Sequence, residues 1–222
     1  MNSKRTNKLL TFFSLYIAQS VPMSLFSTLL PVLMRQGNFS LSTIGLLQLI
    51  KLPWILKVFW APFVDKRTSD LGSYKRWIFS SEMVYAVLIF MVAFLDLNTN
   101  FTTIFILIIL SFIASATQDI ATDALTALSF NHREKSLGNS MQSMGSFTGS
   151  LVGGGFLLLN YKLIGWNALL ISVSLFVVLA LIPLFIYKDK KFTPKHGKTP
   201  ISMKDLYLFF HQKGVAKQLI FL

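Results

Sequence analysis

Long apolar stretches separated by short polar joints occupy almost the whole chain, in the order 9–34, 44–64, 77–95, 102–128, 137–159 and 167–187. Each approaches or exceeds the about 20 residues that carry a helix across a hydrocarbon layer. Lipid offers a backbone no hydrogen bonds, so each stretch must close its own as an α-helix. The pattern predicts an all-α membrane protein, a six-helix bundle over residues 1–187. Lys4, Arg5 and Lys8 ahead of the first stretch resemble a secretory signal, but the apolar run continues past Pro22 to Pro31 without a small-residue cleavage site.

The remaining residues divide in two. Residues 188–214 form a basic, Pro-containing linker, within which Ser202 to Phe210 reads as a short amphipathic helix with Ser202 as its cap and Asp205 at the capping-box position. Residues 215–222 turn apolar again and read as the start of a truncated seventh span. Six spans, a linker and the beginning of a seventh suggest half of a two-bundle protein, with a C-terminal six-helix half missing.

Composition agrees with a lipid environment: 53% of residues are hydrophobic, 14% are charged, and mean hydropathy is +0.59. The net charge of +12 would suit a nucleic-acid binder only if it gathered on one folded face. Instead it lies in alternate joints: Lys4, Arg5 and Lys8; Lys66, Arg67, Lys75 and Arg76; Arg133 and Lys135; then Lys188 onward. The opposite joints hold only Arg35 and Lys162. Basic residues accumulate on the cytoplasmic side of short loops, so the N-terminus is expected in the cytoplasm and the protein in the inner (plasma) membrane, with no nucleic-acid partner.

Charges inside the spans carry the functional signal, because they are costly there unless they handle cargo or protons. Lys57 stands about 12 Å from Asp65 at helical rise, well within the hydrocarbon, and Lys51 about 21 Å. Snorkelling is the plain alternative for both. In the fourth span Asp119 and Asp123 lie one turn apart, and Ser111 and Ser115 continue their stripe. Asp119, about 13 Å from Leu128, matches the depth of Lys57, so the two are expected to interact. Asp123 is expected to meet Lys66 or Arg67 and, with Asp65, to form a cytoplasmic gate. Gln19, in a kink-prone break with Ser20 and Pro22, and Gln118 are candidate polar contacts to a solute. Gly145, Gly149 and Gly153 line one helix face and predict close packing of a neighbour. Glu82, near the basic end of the third span, is expected to snorkel or to pair with Arg76.

An enzyme is not expected. The chain has no Cys, and His132, His196 and His211 all fall in joints or linker, away from the carboxylates, so neither a nucleophile-base pair nor a metal site emerges and no cofactor is implied.

Three runs together resemble the peptide/acetyl-coenzyme A transporter branch of the major facilitator superfamily: Lys57-x-x-Trp60-Ala61-Pro62-x-x-Asp65, Gly72-x-x-Lys75-Arg76-Trp77, and Gln118-Asp119-Ile120-Ala121-x-Asp123. The resemblance spans all six stretches. It implies the N-terminal half of a twelve-helix, proton-linked carrier working by alternating access, with a small solute and protons as partners. AmpG-type muropeptide permeases belong to that branch, and import of muropeptides or a related anionic solute is the leading expectation. Where those permeases carry a Tyr-Arg pair this chain has Ser146 and Phe147, and Tyr16-x-x-Gln19-Ser20-x-Pro22 looks more like the acetyl-coenzyme A carriers. An acyl-coenzyme A carrier is therefore the alternative, and a non-transporting half-carrier a further one. The resemblance assigns Lys57, Asp119, Gln118 and Gln19 to solute or proton coupling and Asp65, Lys66, Arg67 and Asp123 to the gate.

Overall fold

The computed structural model describes residues 3–68, 70–97, 99–131, 134–188 and 208, so the predicted linker helix and seventh span lie outside the described residues. Every described element is helical. The first, α1 (Ser3–Gln36), runs unbroken through Pro22 and Pro31, so the break expected at Gln19 and Ser20 does not interrupt it. Proline costs a helix one hydrogen bond and a clash, and neighbouring helices supply the packing that tolerates it in a membrane bundle.

The second stretch differs from the uniform helix expected of it. It comprises α2 (Leu41–Leu46), a 3₁₀ segment Leu47–Lys51, α3 (Leu52–Leu56), a second 3₁₀ segment Lys57–Phe59, and α4 (Ala61–Lys66). Pro53 and Pro62 sit at the starts of α3 and α4, where their missing N–H groups do no harm but where they end the preceding hydrogen-bond ladder. The 3₁₀ segments rise about 2.0 Å per residue instead of 1.5 Å, so depths along this span are not those of a straight α-helix. Lys57 opens the second 3₁₀ segment.

Two long helices follow. Asp70 caps α5 (Leu71–Val92) by accepting from the Gly72 and Ser73 N–H groups at 3.1 and 3.3 Å, and its own N–H donates to Ser73 Oγ at 3.0 Å. That reciprocal arrangement satisfies donors which the first turn leaves free. The next helix, α6 (Phe101–Ser129), is the most buried of the set along its inner face, and α5 packs along it.

A continuous helical stretch then begins with α7 (Lys135–Leu151), passes through a π-turn at Val152–Phe156 and becomes α8 (Leu157–Leu179). Gly165 breaks it with φ 76° and ψ 174°, a left-handed backbone that only glycine adopts without strain. A short α9 (Ile182–Ile186) completes the described chain.

Among the described residues, four stretches are long and apolar enough to cross a membrane: Arg5–Gln36, Leu41–Phe59, Phe101–Ser129 and the 52-residue Lys135–Ile186. The last holds both the fifth and sixth predicted spans. The third corresponds to α5, which carries Lys75, Arg76 and Glu82 and so falls outside that set. The chain is a multi-pass membrane protein on this evidence, with four spans marked by length and composition where six were expected.

Packing explains the glycine pattern. A Cβ added at Gly145 would lie 2.6 Å from the Tyr16 Cβ, and one at Gly149 would lie 2.5 Å from the Ser20 Cβ, so α7 rests on α1 backbone to side chain. Small residues permit that approach where lipid supplies no hydrophobic drive between helices. The glycine face is thus consumed within the bundle. Its apolar interior forms two clusters, one around Phe26, Leu29, Tyr85, Ile89, Phe112 and Leu169, the other toward the basic end around Phe12, Tyr16, Ile78, Leu125 and Leu184. At that end Lys8 donates to the Ser129 carbonyl and Lys75 to the Tyr187 carbonyl, cations placed on helix C-termini where the backbone is electronegative. The Tyr187 hydroxyl donates to Ser129 Oγ at 2.9 Å, tying the end of α6 to the segment after α9.

Candidate functional site

One face of α6 presents Asp119 and Asp123 on consecutive turns, and three other elements converge on them. From the broken second stretch, Lys57 forms an ion pair with Asp119 Oδ2, and its Nζ lies 3.7 Å from Asp123 Oδ2. From α1, Gln19 Nε2 donates to Asp119 Oδ1 at 2.9 Å, and the Tyr16 hydroxyl donates to Asp123 Oδ1 at 2.8 Å. From α7, Gln142 Nε2 reaches the same Asp123 oxygen at 3.3 Å. The Tyr16 hydroxyl also lies 3.2 Å from Thr126 Oγ1, one turn further along α6.

Burial grades the cluster. The Asp119 side chain is 3% exposed, Lys57 27% and Asp123 39%, so the ion pair reaches from a sealed carboxylate to an open one. The lysine is shared between the two. If all three groups are ionised, the cluster holds one positive and two negative charges, and a proton or a cationic group is the natural fourth member. Trp54 supports the lysine from the side, with its ring centroid 5.5 Å from Nζ, and Trp60 Nε1 donates to Thr117 Oγ1 at 3.1 Å, joining the second stretch to α6. The 3₁₀ winding at Lys57 therefore has α6 contacts on both sides of it.

An open cleft of about 300 Å³ lies against this cluster, lined by Lys57, Val58, Ala61, Pro62, Asp65, Ile120, Asp123 and Ala124. Its wall is mostly apolar with charged groups at a few points, the usual make-up of a small-solute site. Asp65 shares this cleft with Lys57 and Asp123.

Several expected placements change. Asp123 is held by Tyr16, Gln142 and Lys57 instead of Lys66 or Arg67; the Arg67 guanidinium stacks over the Phe63 ring at 4.0 Å and lines a separate cleft with Arg76 and Trp77, and Lys66 is exposed. Neither basic residue comes within ion-pair distance of the carboxylate it was matched with. Gln118, expected among the solute contacts, is fully buried and donates to Thr122 Oγ1 at 3.0 Å on its own helix; a step of one residue turns it about 100° from Asp119. Glu82 neither snorkels nor meets Arg76: it is 0% exposed. Sequence reasoning gave no role to Tyr16, Gln142 or Thr126. Tyr16 precedes Gln19 by three residues and so shares its helix face, which is the signal that would have found it.

The arrangement defines a class: a multi-pass helical membrane protein with an ion cluster at a solute-sized cleft. A sequence profile of the Major Facilitator Superfamily matches residues 10–221, and the chain belongs to that superfamily of membrane transporters. It is 29% identical over 154 residues to the anhydromuropeptide permease of Escherichia coli, covering 68% of this chain and 31% of the permease. A relative from Rickettsia conorii, whose name assigns it provisionally to the AmpG transporters, is 25% identical over 190 residues, covering 83% of this chain and 46% of that protein. An uncharacterised protein of Haemophilus influenzae is 28% identical over 207 residues, covering 91% and 49%. The resemblance to AmpG-type carriers read from the three motifs is thereby borne out at family level. The chain spans about half the length, or less, of these relatives.

Proposed function

We propose that this chain forms the N-terminal bundle of a proton-coupled carrier that imports muropeptides or a closely related anionic solute, with its N-terminus and basic joints in the cytoplasm, six spans, and residence in the inner membrane. The observation that carries the reading is the Lys57 ammonium held between Asp119 and Asp123 at the edge of a cleft, in a member of a transporter superfamily with AmpG-named relatives.

The chemistry is an exchange of partners. When a proton binds the Asp119 carboxylate, the ion pair is lost and the Lys57 ammonium is free to hold a carboxylate of the solute. When the solute leaves, Asp119 gives up the proton and recovers the lysine, so the site carries the same charge with proton and solute carboxylate both bound as with neither. Asp123, kept in place by Tyr16 and Gln142, is the second acceptor that steadies Lys57 between the two conditions. Asp65, across the same cleft, is the gate residue this geometry favours. Alternating access requires a second bundle to close the opposite side of the site.

The test is uptake of radiolabelled anhydromuropeptide by cells expressing the protein, with acetyl-coenzyme A as the rival solute. Accumulation of the muropeptide that collapses when a protonophore is added supports the reading. Accumulation of acetyl-coenzyme A alone would replace the substrate with the one suggested by the Tyr16-x-x-Gln19 motif, and uptake of neither would reject it.

A further inference from the structure

On the side of α6 turned from the cleft, a second acidic group is placed quite differently. Glu82 on α5 is 0% exposed, neither of its carboxyl oxygens has a hydrogen-bond partner, and no cation among the described residues comes within ion-pair distance. Three residues along α5, the Tyr85 hydroxyl donates to the Gln19 carbonyl of α1 at 3.3 Å, and the Ser115 side chain of α6 lies beside it.

Because α5 and α6 are consecutive and packed side by side in opposite directions, one turn back from Tyr85 and one turn onward from Ser115 arrive at the same level. Those positions are Glu82 and Gln118. Gln118 is also 0% exposed; its Nε2 is committed to Thr122 and its Oε1 has no partner. Gln19 repeats the pattern, with Nε2 on Asp119 and Oε1 unpartnered. The seam among α1, α5 and α6 thus has amide oxygens without donors. An ionised Glu82 would add two further acceptors and an uncompensated charge at a position sealed from the surface. A protonated one supplies the donor that is missing.

We propose that Glu82 is a proton-binding site of this protein, a neutral carboxylic acid whose O–H donates to the Gln118 amide oxygen. Gln19 joins it to the ion cluster: its carbonyl holds Tyr85 and its amide holds Asp119. Of the titratable and charged groups, Tyr85 on its own helix is the one beside Glu82, and Asp119, Asp123, Lys57 and Tyr16 belong to the cluster on the other side of Gln19. The α8 helix, packed on α5, buries Leu169, Leu170, Val173, Ser174 and Val177, none of them titratable, and α9 carries no titratable residue. The protonation of Glu82 does not rest on the carrier reading.

Infrared difference spectroscopy of the full chain in lipid bilayers tests it. The expected result is a carbonyl band of a protonated carboxylic acid at neutral pH that disappears in Glu82→Gln and moves to higher frequency in Gln118→Leu, where the acceptor is gone. Absence of any acid band lost in a folded Glu82→Gln protein would overturn the proposal. Should Glu82→Gln fail to fold, the Gln118→Leu spectrum decides: an unmoved band is equally fatal. A band that behaves as expected in a protein with no solute uptake would reject the carrier reading and leave the proton site standing.

Discussion

Two faces of α6 at the same depth treat acidic groups in opposite ways. On the cleft face, Asp119 and Asp123 are surrounded by donors: Lys57, Gln19, Tyr16 and Gln142. On the seam face, Glu82 from α5 meets no donor to either oxygen. Burial alone does not separate them, since Asp119 is almost as sealed as Glu82. What separates them is the supply of positive charge and donors: the broken second stretch delivers a lysine to one face only, and Gln19 and Tyr16 of α1 with Gln142 of α7 add theirs to the same face. A buried carboxylate is stable as an ion where it is paired, and a lone one is stable only as an acid.

The largest effect is expected from Lys57→Met. It leaves two carboxylates one turn apart without their cation, a situation that costs about 3–5 kcal/mol when a buried pair is broken. Loss of detectable solute accumulation, with lowered yield of folded protein, is the expected outcome, and Lys57→Met combined with Asp119→Asn should recover the yield without the accumulation. Yield measured by fluorescence-detected size exclusion checks both. Normal accumulation by the single variant would erase the distinction between the faces.

Next in size is the contact that holds α1, and with it Gln19 and Tyr16, in place. Gly149→Ala puts a methyl group 2.5 Å from the Ser20 Cβ, an overpacked position expected to cost about 1–3 kcal/mol. A fall in melting temperature is expected, and Gly155→Ala, whose added Cβ meets nothing within 4 Å, is its control.

Tyr16→Phe removes one hydrogen bond to an ionised acceptor, worth about 1.5–3 kcal/mol, and frees Asp123 on its α1 side. Uptake should fall about 10-fold while the fold is kept, because Gln142 and Lys57 still hold the carboxylate. Glu82→Leu sharpens the comparison from the other face. Replacing the neutral acid by an apolar side chain removes one neutral hydrogen bond and should lower thermal stability less than Asp119→Leu, which takes the closer carboxylate from Lys57.

The smallest effect belongs to Asp70→Ala at the start of α5. The Asp70 carboxyl is held below its usual 3.8, first by the Ser73 side chain, so its contribution is complete above that value and fades as pH falls through the lower folded value. A slight loss of melting temperature at neutral pH that disappears in acid is expected for the variant.

Helix identity and composition were legible because they depend on local periodicity: the stripe of Ser111, Ser115, Asp119 and Asp123 and the run of Gly145, Gly149 and Gly153 need no knowledge of neighbours. Pairing across helices was legible only where one depth estimate sufficed, as for Lys57 and Asp119. It failed for Asp123, since the groups that hold it come from α1 and α7 as well as the second stretch, and nothing local encodes that. Pro53 and Pro62 were visible, yet a proline at a helix start and one in a kink have the same letter, so the 3₁₀ winding around Lys57 was not read. The isolation of Glu82 is a property of its surroundings, built from α1 and α6, and only the packed bundle reveals it.

The most direct measurement of the central claim is solute accumulation driven by an imposed proton gradient in right-side-out membrane vesicles, comparing the natural chain with Asp119→Asn. The account predicts that the natural chain concentrates solute while the variant, unable to alternate between a proton and Lys57, at most equilibrates it. Equal concentration by both would show that the carboxylate is architecture and that coupling resides elsewhere.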